Sequence, residues 1–180
     1  MENKLRILCI ENDTQKIKEY MYNCEITDLV DCLKYIMVNN MDTLFIDLIN
    51  EFQKYINIYD EQETYFESAC LGGNITIINW LLDNGFDMNK LKTCIAATVH
   101  AGNTEATKLL LNCGASIHIN YCDYFPIITA LLNNNDEIVQ LFLQYDCVDI
   151  NDVAISLIKN IKKEDQQKLL KKFYSLSELS

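Results

Sequence analysis

The sequence has one proline, five glycines, one tryptophan and two histidines in 180 residues. So little turn-forming material excludes a β-sandwich or barrel, whose many tight connections draw on glycine and proline. No uninterrupted apolar run approaches the ~20 residues of a membrane helix. Glu11 and Asp13 interrupt the N-terminal segment where a signal peptide would carry its apolar stretch. Basic residues are scarce: 15 Lys and Arg stand against 26 Asp and Glu, giving a net charge of -11. A chain so acidic is not built to coat phosphates, so nucleic acid is not an expected partner. The eight cysteines, at 9, 24, 32, 70, 94, 113, 122 and 147, contain no Cys-x-x-Cys. With only His100 and His118 beside them, no zinc-ligand spacing is recognisable. They read as free, mostly buried thiols acting as small hydrophobes, which suits a cytoplasmic protein.

What is present is a hydrophobic content of 49%, ordinary for a globular chain, and a length that favours one domain. The chain also repeats itself. Thr64-Tyr65-Phe66 to Asn89 aligns with Thr93 to His118 at a constant offset of 29 residues. Gly73-Asn74 then pairs with Gly102-Asn103, Trp80-Leu81-Leu82 with Leu109-Leu110-Leu111, and Gly85-Phe86 with Gly114-Ala115. A third copy runs from Phe125-Pro126-Ile127 through Asn134-Asn135 to Asn151, at an offset of 32. Each copy reads as two short helices. A Gly or Asn pair separates them, because both residue types accept the left-handed backbone of a helix C-terminus. The second helix carries apolar residues three and four apart, as in Ile75, Ile78, Leu81 and Leu82. Gly85 and Gly114 close two of these second helices.

This pattern resembles the ankyrin repeat, whose consensus runs Thr-Pro-Leu-His-x-Ala-Ala, then Gly, an apolar helix ending Leu-Leu, and Gly-Ala-x-x-Asn. Phe125-Pro126-Ile127-Ile128-Thr129-Ala130 resembles the opening, Gly114-Ala115 the Gly-Ala, and Asn89 and Asn151 the closing Asn. The opening histidine is missing from all three copies, and the short offset implies a trimmed hairpin at 89–92. A weaker copy lies 33 residues upstream, where Leu44-Phe45 sits under Ile77-Ile78. Bulky Ile36 and Met37 fill places that are usually small there. Residues 1–25 offer a further pair, with Ile17, Tyr20 and Met21 as an apolar face. Ile155 and Ile158, then Leu169, Leu170 and Phe173, suggest a closing pair. The resemblance implies an all-α solenoid of stacked antiparallel helix pairs forming a single domain over 1–180. Its expected parts are capping helices at 1–27, a degenerate repeat at 28–58, repeats at 59–90, 91–119 and 120–151, and capping helices at 152–180. A tetratricopeptide array would need a 34-residue period and a Trp…Leu-Gly…Tyr pattern, which are absent.

Most apolar residues have a structural role in such a stack. Trp80 falls on a Leu position of a second helix, so core packing is preferred to a ligand platform. No nucleophile elbow, phosphate-cradling loop or metal-binding helix motif occurs; Gly72-Gly73 lacks the following Lys-Ser or Lys-Thr. No catalytic, cofactor-binding or metal-binding residue is therefore expected, and no cofactor. Residues 159–180 hold six lysines against three carboxylates, net +3, which leaves -14 on the rest. A solvated outer helix face is the preferred reading of that tail, with a contact face for an acidic partner or anionic membrane as the alternative.

The resemblance implies a non-enzymatic, monomeric module that binds a partner protein through hairpin tips and the concave face made by the first helices, with no membrane insertion. The matching positions are Glu61, Glu63, Lys92, His100, Tyr121, Tyr124 and Asn133, together with Asp60, Leu71 and Cys122. Tyr121 and Tyr124 stand out because aromatic residues are enriched at interaction hot spots, although covering a hairpin base explains them equally well. A different function class, a small subunit docking a larger assembly through its C-terminal helices, remains beside this one. Abundant Ile, Asn, Lys and Tyr resemble the divergent ankyrin proteins of large DNA viruses, which implies the cytoplasm of a host cell.

Overall fold

A computed structural model describes residues 2–11, 13–52, 54–55, 62–86, 92–115, 121–145 and 148–179. Twelve helices and no strand occur among them. In chain order they are α1 (Glu2–Ile10), α2 (Thr14–Tyr22), α3 (Ile26–Val38), α4 (Asp42–Phe52), α5 (Gln62–Gly72) and α6 (Ile75–Asp83). They continue with α7 (Lys92–His100), α8 (Thr104–Asn112), α9 (Tyr121–Leu132), α10 (Asp136–Leu143), α11 (Ile150–Asn160) and α12 (Lys163–Ser177). Two compact units divide them, residues 1–86 and 87–180.

One device closes the first helices α3, α5, α7 and α9. At the end of α5 the N–H of Gly73 donates to Cys70 O (3.1 Å) and that of Asn74 to Ala69 O (3.1 Å). This double bond is the Schellman closure of a helix, and it needs a left-handed residue at its centre. Gly73 supplies it with φ +67°. The same two bonds close α3 through Asn40 (φ +58°) and α9 through Asn134 (φ +56°). Asparagine therefore performs the turn where glycine is missing. Its side chain also caps: the Nδ2 of Asn23, Asn39 and Asn84 donates to the carbonyl four residues earlier, at 2.7 to 2.8 Å. Asn74 Oδ1 then accepts from Ile77 N (3.0 Å), which starts α6.

In the first unit α3 packs on α5, and α4 on α6. The α3–α5 contact is close because Gly72 has no side chain. A Cβ there would lie 2.4 Å from Met37 O and 3.1 Å from the Val38 Cα. Ile36 and Met37, for all their bulk, are fully buried. Phe45 meets the half-buried Trp80 edge-on at 5.5 Å, so the tryptophan is a packing residue. Ile17 and Met21 of α2 are buried as the apolar spacing suggested, with Tyr20 at the margin.

In the second unit α9 packs between α7 and α11, while α10 packs between α8 and α12. Thr107 donates to the Thr98 hydroxyl (3.0 Å), which donates to Ile95 O (3.0 Å), so two buried hydroxyls are satisfied. A hydrogen bond ties the end of α8 to the residues just after α10: Tyr145 Oη donates to Asn112 Oδ1 at 2.9 Å. The opening of the third copy is revised: α9 starts at Tyr121, four residues ahead of Phe125-Pro126, and Pro126 lies inside it. Proline has no N–H for the carbonyl of residue 122, so the added turn joins the helix one bond short. The buried residues of α11 are Val153, Ala154, Ser156 and Leu157, while Ile155 and Ile158 are exposed.

Candidate functional site: the exposed ends of the first helices

The first helix of each pair ends at the same register. Val38, Leu71, His100 and Leu132 each stand four residues before the first residue of the following helix (Asp42, Ile75, Thr104, Asp136). All four are exposed. The residue just before each of them, Met37, Cys70, Val99 and Leu131, is buried to 1% or less. A helix advances by about 100° per residue, so one step carries the chain from the packed face to the open one. In the first unit, Val38 and Leu71 are brought together by the tight α3–α5 approach at Gly72. In the second, His100 and Leu132 close α7 and α9, with the exposed Asn133 one residue on. Gly102 lies so near the α9–α10 turn that a Cβ would stand 3.3 Å from Asn135 Nδ2. Exposed Phe125, in the second turn of α9, adds a further apolar side chain.

Asp60 and Glu61 lie outside the described residues. Glu63, Lys92, Tyr121, Cys122 and Tyr124 lie on helical backbone at the starts of α5, α7 and α9, and their side chains are outside the described set. The segments between copies, at 56–61, 87–91 and 116–120, are outside it as well. Sequence reasoning named Leu71, His100 and Asn133 but passed over Val38 and Leu132. The signal was available: Val38 precedes Leu71 by 33 residues and Leu132 follows His100 by 32, the same offsets that define the repeat.

The chemistry available elsewhere is limited. Among the described residues no group of three or more His, Cys, Asp or Glu could hold a metal ion. Cys9, Cys24 and Cys32 are neighbours, but burial pushes all three thiols up. Cys32 is raised to about 12, by burial first and then by the thiols of Cys24 and Cys9. Nucleophiles and metal ligands need the thiolate, which this setting disfavours. A groove of about 320 Å³ between α1 and α2 is lined by Lys4, Lys16, Glu19 and Tyr20. Its charges are already engaged. Lys16 pairs with Asp13 at 2.9 Å, whose carboxyl this contact holds below the usual range, and Lys4 lies over the Tyr20 ring. Some acidic side chains on second helices already meet cations: Lys18 reaches Asp47 (3.9 Å) and Glu51 (3.7 Å), and Lys172 meets Asp136; such exposed pairs are worth about 0–1 kcal/mol. No helix among the described residues is long and apolar enough to cross a membrane.

Comparison with known proteins follows this geometry. Residues 66–154 match the family model for ankyrin repeats, in three copies. The interferon antagonist OPG039 of monkeypox virus is 28% identical over 109 residues. That match covers 58% of this chain and 37% of the viral protein, so the chain spans little more than a third of that relative. No solved structure matches.

Proposed function

We propose, from the premise that this chain is an ankyrin-repeat protein, that it binds a partner protein through its hairpin tips and the concave face at the ends of its first helices. Ankyrin repeats in general mediate protein–protein interaction and are not enzymes. The observation that carries the proposal is the exposure of Val38, Leu71 and Leu132 at one repeat position, beside polar His100 and Asn133. Apolar side chains with a polar surround are the composition of an interface core and rim. Glu61, Glu63, Lys92, Tyr121 and Tyr124 would form the hairpin-tip part of that surface. The net charge of -11 favours a basic partner, since complementary potentials speed encounter. The chain acts as a monomer, without cofactor, nucleic acid or membrane insertion. Its similarity to a viral interferon antagonist puts proteins of the host's antiviral signalling first among candidate partners, in the host cytoplasm.

Affinity purification from the native cell, with mass spectrometry, names the partner. Purified variants then test the surface. Leu71→Ser with Leu132→Ser, and separately Tyr121→Ala with Tyr124→Ala, should weaken capture while the melting temperature stays near wild type. Undiminished capture by both pairs would overturn the proposed surface. The second reading, docking through α11 and α12, draws on the exposed Ile155 and Ile158.

A further inference from the structure

Among the described residues, α11 presents two half-exposed apolar side chains, Ile155 and Ile158, on one face. The reference point is the residue five positions before each second helix begins. In α3, α5, α7 and α9 it is Met37, Cys70, Val99 and Leu131, all buried to 1% or less. In α11 it is Ile158, which is 52% exposed. Ile155, one turn earlier, is 48% exposed. The contrast with α9 shows the cause. There Pro126 to Leu131 are all buried, because α7 packs on one side and α11 on the other. Among the described residues α11 packs chiefly on α9 and α12.

Lysines stand at the C-terminal edge of this face, with Asp152 at its other end and Glu164 and Asp165 beyond the lysines. Lys159 follows Ile158 directly, and Lys162 and Lys163 open α12 just beyond; all three are exposed. Lys168 and Lys171 are exposed further along α12. Lys172 differs, since it already holds Asn134 Oδ1 at 3.1 Å and the Asp136 carboxylate. The surrounding segment 159–180 is net +3 in a chain whose remainder is net -14.

We propose that the open face of α11, Ile155 and Ile158 edged by Lys159 and Lys162, docks an acidic amphipathic helix of a partner protein. The repeat geometry already lays a helix on this register in α9, so a helix is the shape that fits. Apolar residues spaced three and four apart on the partner would cover Ile155 and Ile158. Carboxylates on its flank would meet Lys159 and Lys162, which fixes polarity and speeds encounter. A two-fold pair of this chain would instead set the same lysines against one another. This surface is made of residues of α11 and α12 that the concave-face reading does not use, so it stands or falls independently of that reading.

The test uses the full chain and a fluorescent, helix-stapled peptide with leucines at i, i+3, i+4 and i+7 and glutamates on its flanks. A second peptide replaces every glutamate by lysine. The acidic peptide should bind, and the basic one should bind at least about tenfold more weakly, a difference of ~1.4 kcal/mol. Ile155→Asp with Ile158→Asp should abolish binding with the melting temperature unchanged, because both side chains are exposed. Lys159→Glu with Lys162→Glu should reverse the preference between the peptides. No binding, equal binding of the two peptides, or an unchanged preference in the lysine variant would overturn the proposal. So would flotation of the wild-type chain with phosphatidylserine vesicles that the isoleucine variant loses, since the face would then be a membrane contact. Sedimentation of the wild type as a dimer that Ile158→Asp dissolves would overturn it in favour of a second copy.

Discussion

The helices α9 and α11 each open one of two successive helix pairs, yet they meet different surroundings. Leu131 of α9 and Ile158 of α11 each lie five residues before the next helix, and one is sealed while the other is 52% exposed. The side chains are isomers, so chemistry does not separate them. What separates them is whether another first helix packs against that side. In a stack of repeats, burial belongs to the neighbour as much as to the residue.

The comparison can be broken most severely at its buried member. Leu131→Ala should destabilise the fold by about 2–5 kcal/mol, as deletions of buried leucine do. Ile158→Ala should stay within about 0.5 kcal/mol of wild type. Chemical denaturation of both variants checks this, and equal losses would mean that α11 is covered after all.

A helix–helix contact already closed offers the next largest effect. Gly72→Ala would place a Cβ against Met37 O, where the structure leaves 2.4 Å. Backbone cannot yield as a flexible side chain can, so α3 and α5 must separate, at about 1–3 kcal/mol. A fully retained melting temperature would contradict the close approach.

The turn residues sharpen the comparison at smaller cost. Asn134→Ala forces an ordinary side chain into the left-handed region and should lose about 1–2 kcal/mol. Asn134→Gly should cost little or stabilise slightly, because glycine takes φ +56° freely. Thermal unfolding of the two variants distinguishes loss of the backbone conformation from loss of the side chain.

Thiol labelling reads the covered and open surfaces without altering stability. At a pH of about 8.5, iodoacetamide should modify exposed Cys113 quickly and Cys32 slowly, since only the thiolate reacts. Burial raises the Cys32 thiol to about 12, so it stays protonated there. Ile158→Cys should label as Cys113 does, while Cys70, at the same repeat position in α5, should resist. Fast labelling of Cys70 would show that the interior of the repeat opens readily.

The helix pairs were legible because the signals are local. Gly73-Asn74, Gly102-Asn103 and Asn134-Asn135 each mark a helix end by a backbone conformation that few residues accept, and apolar spacing marks the packed face of α6 and α8. The early start of α9 was not legible, because Pro126 reads as a helix opening whatever precedes it. The candidate site was legible in part. The offsets that align Leu71 with His100 also reach Val38 and Leu132, but an apolar residue in an apolar helix gives no sign from sequence that it faces outward.

The sequence by itself determined the repeat, its turns and its acidic character, since each depends on residue type and spacing along the chain. Only the tertiary structure decided which of two similar apolar residues is core and which is surface. Ile155 and Ile158 have the composition of a packed face and the exposure of a docking one. Spacing can place a side chain on a helix face, but solvent is excluded from that face only by another element lying against it.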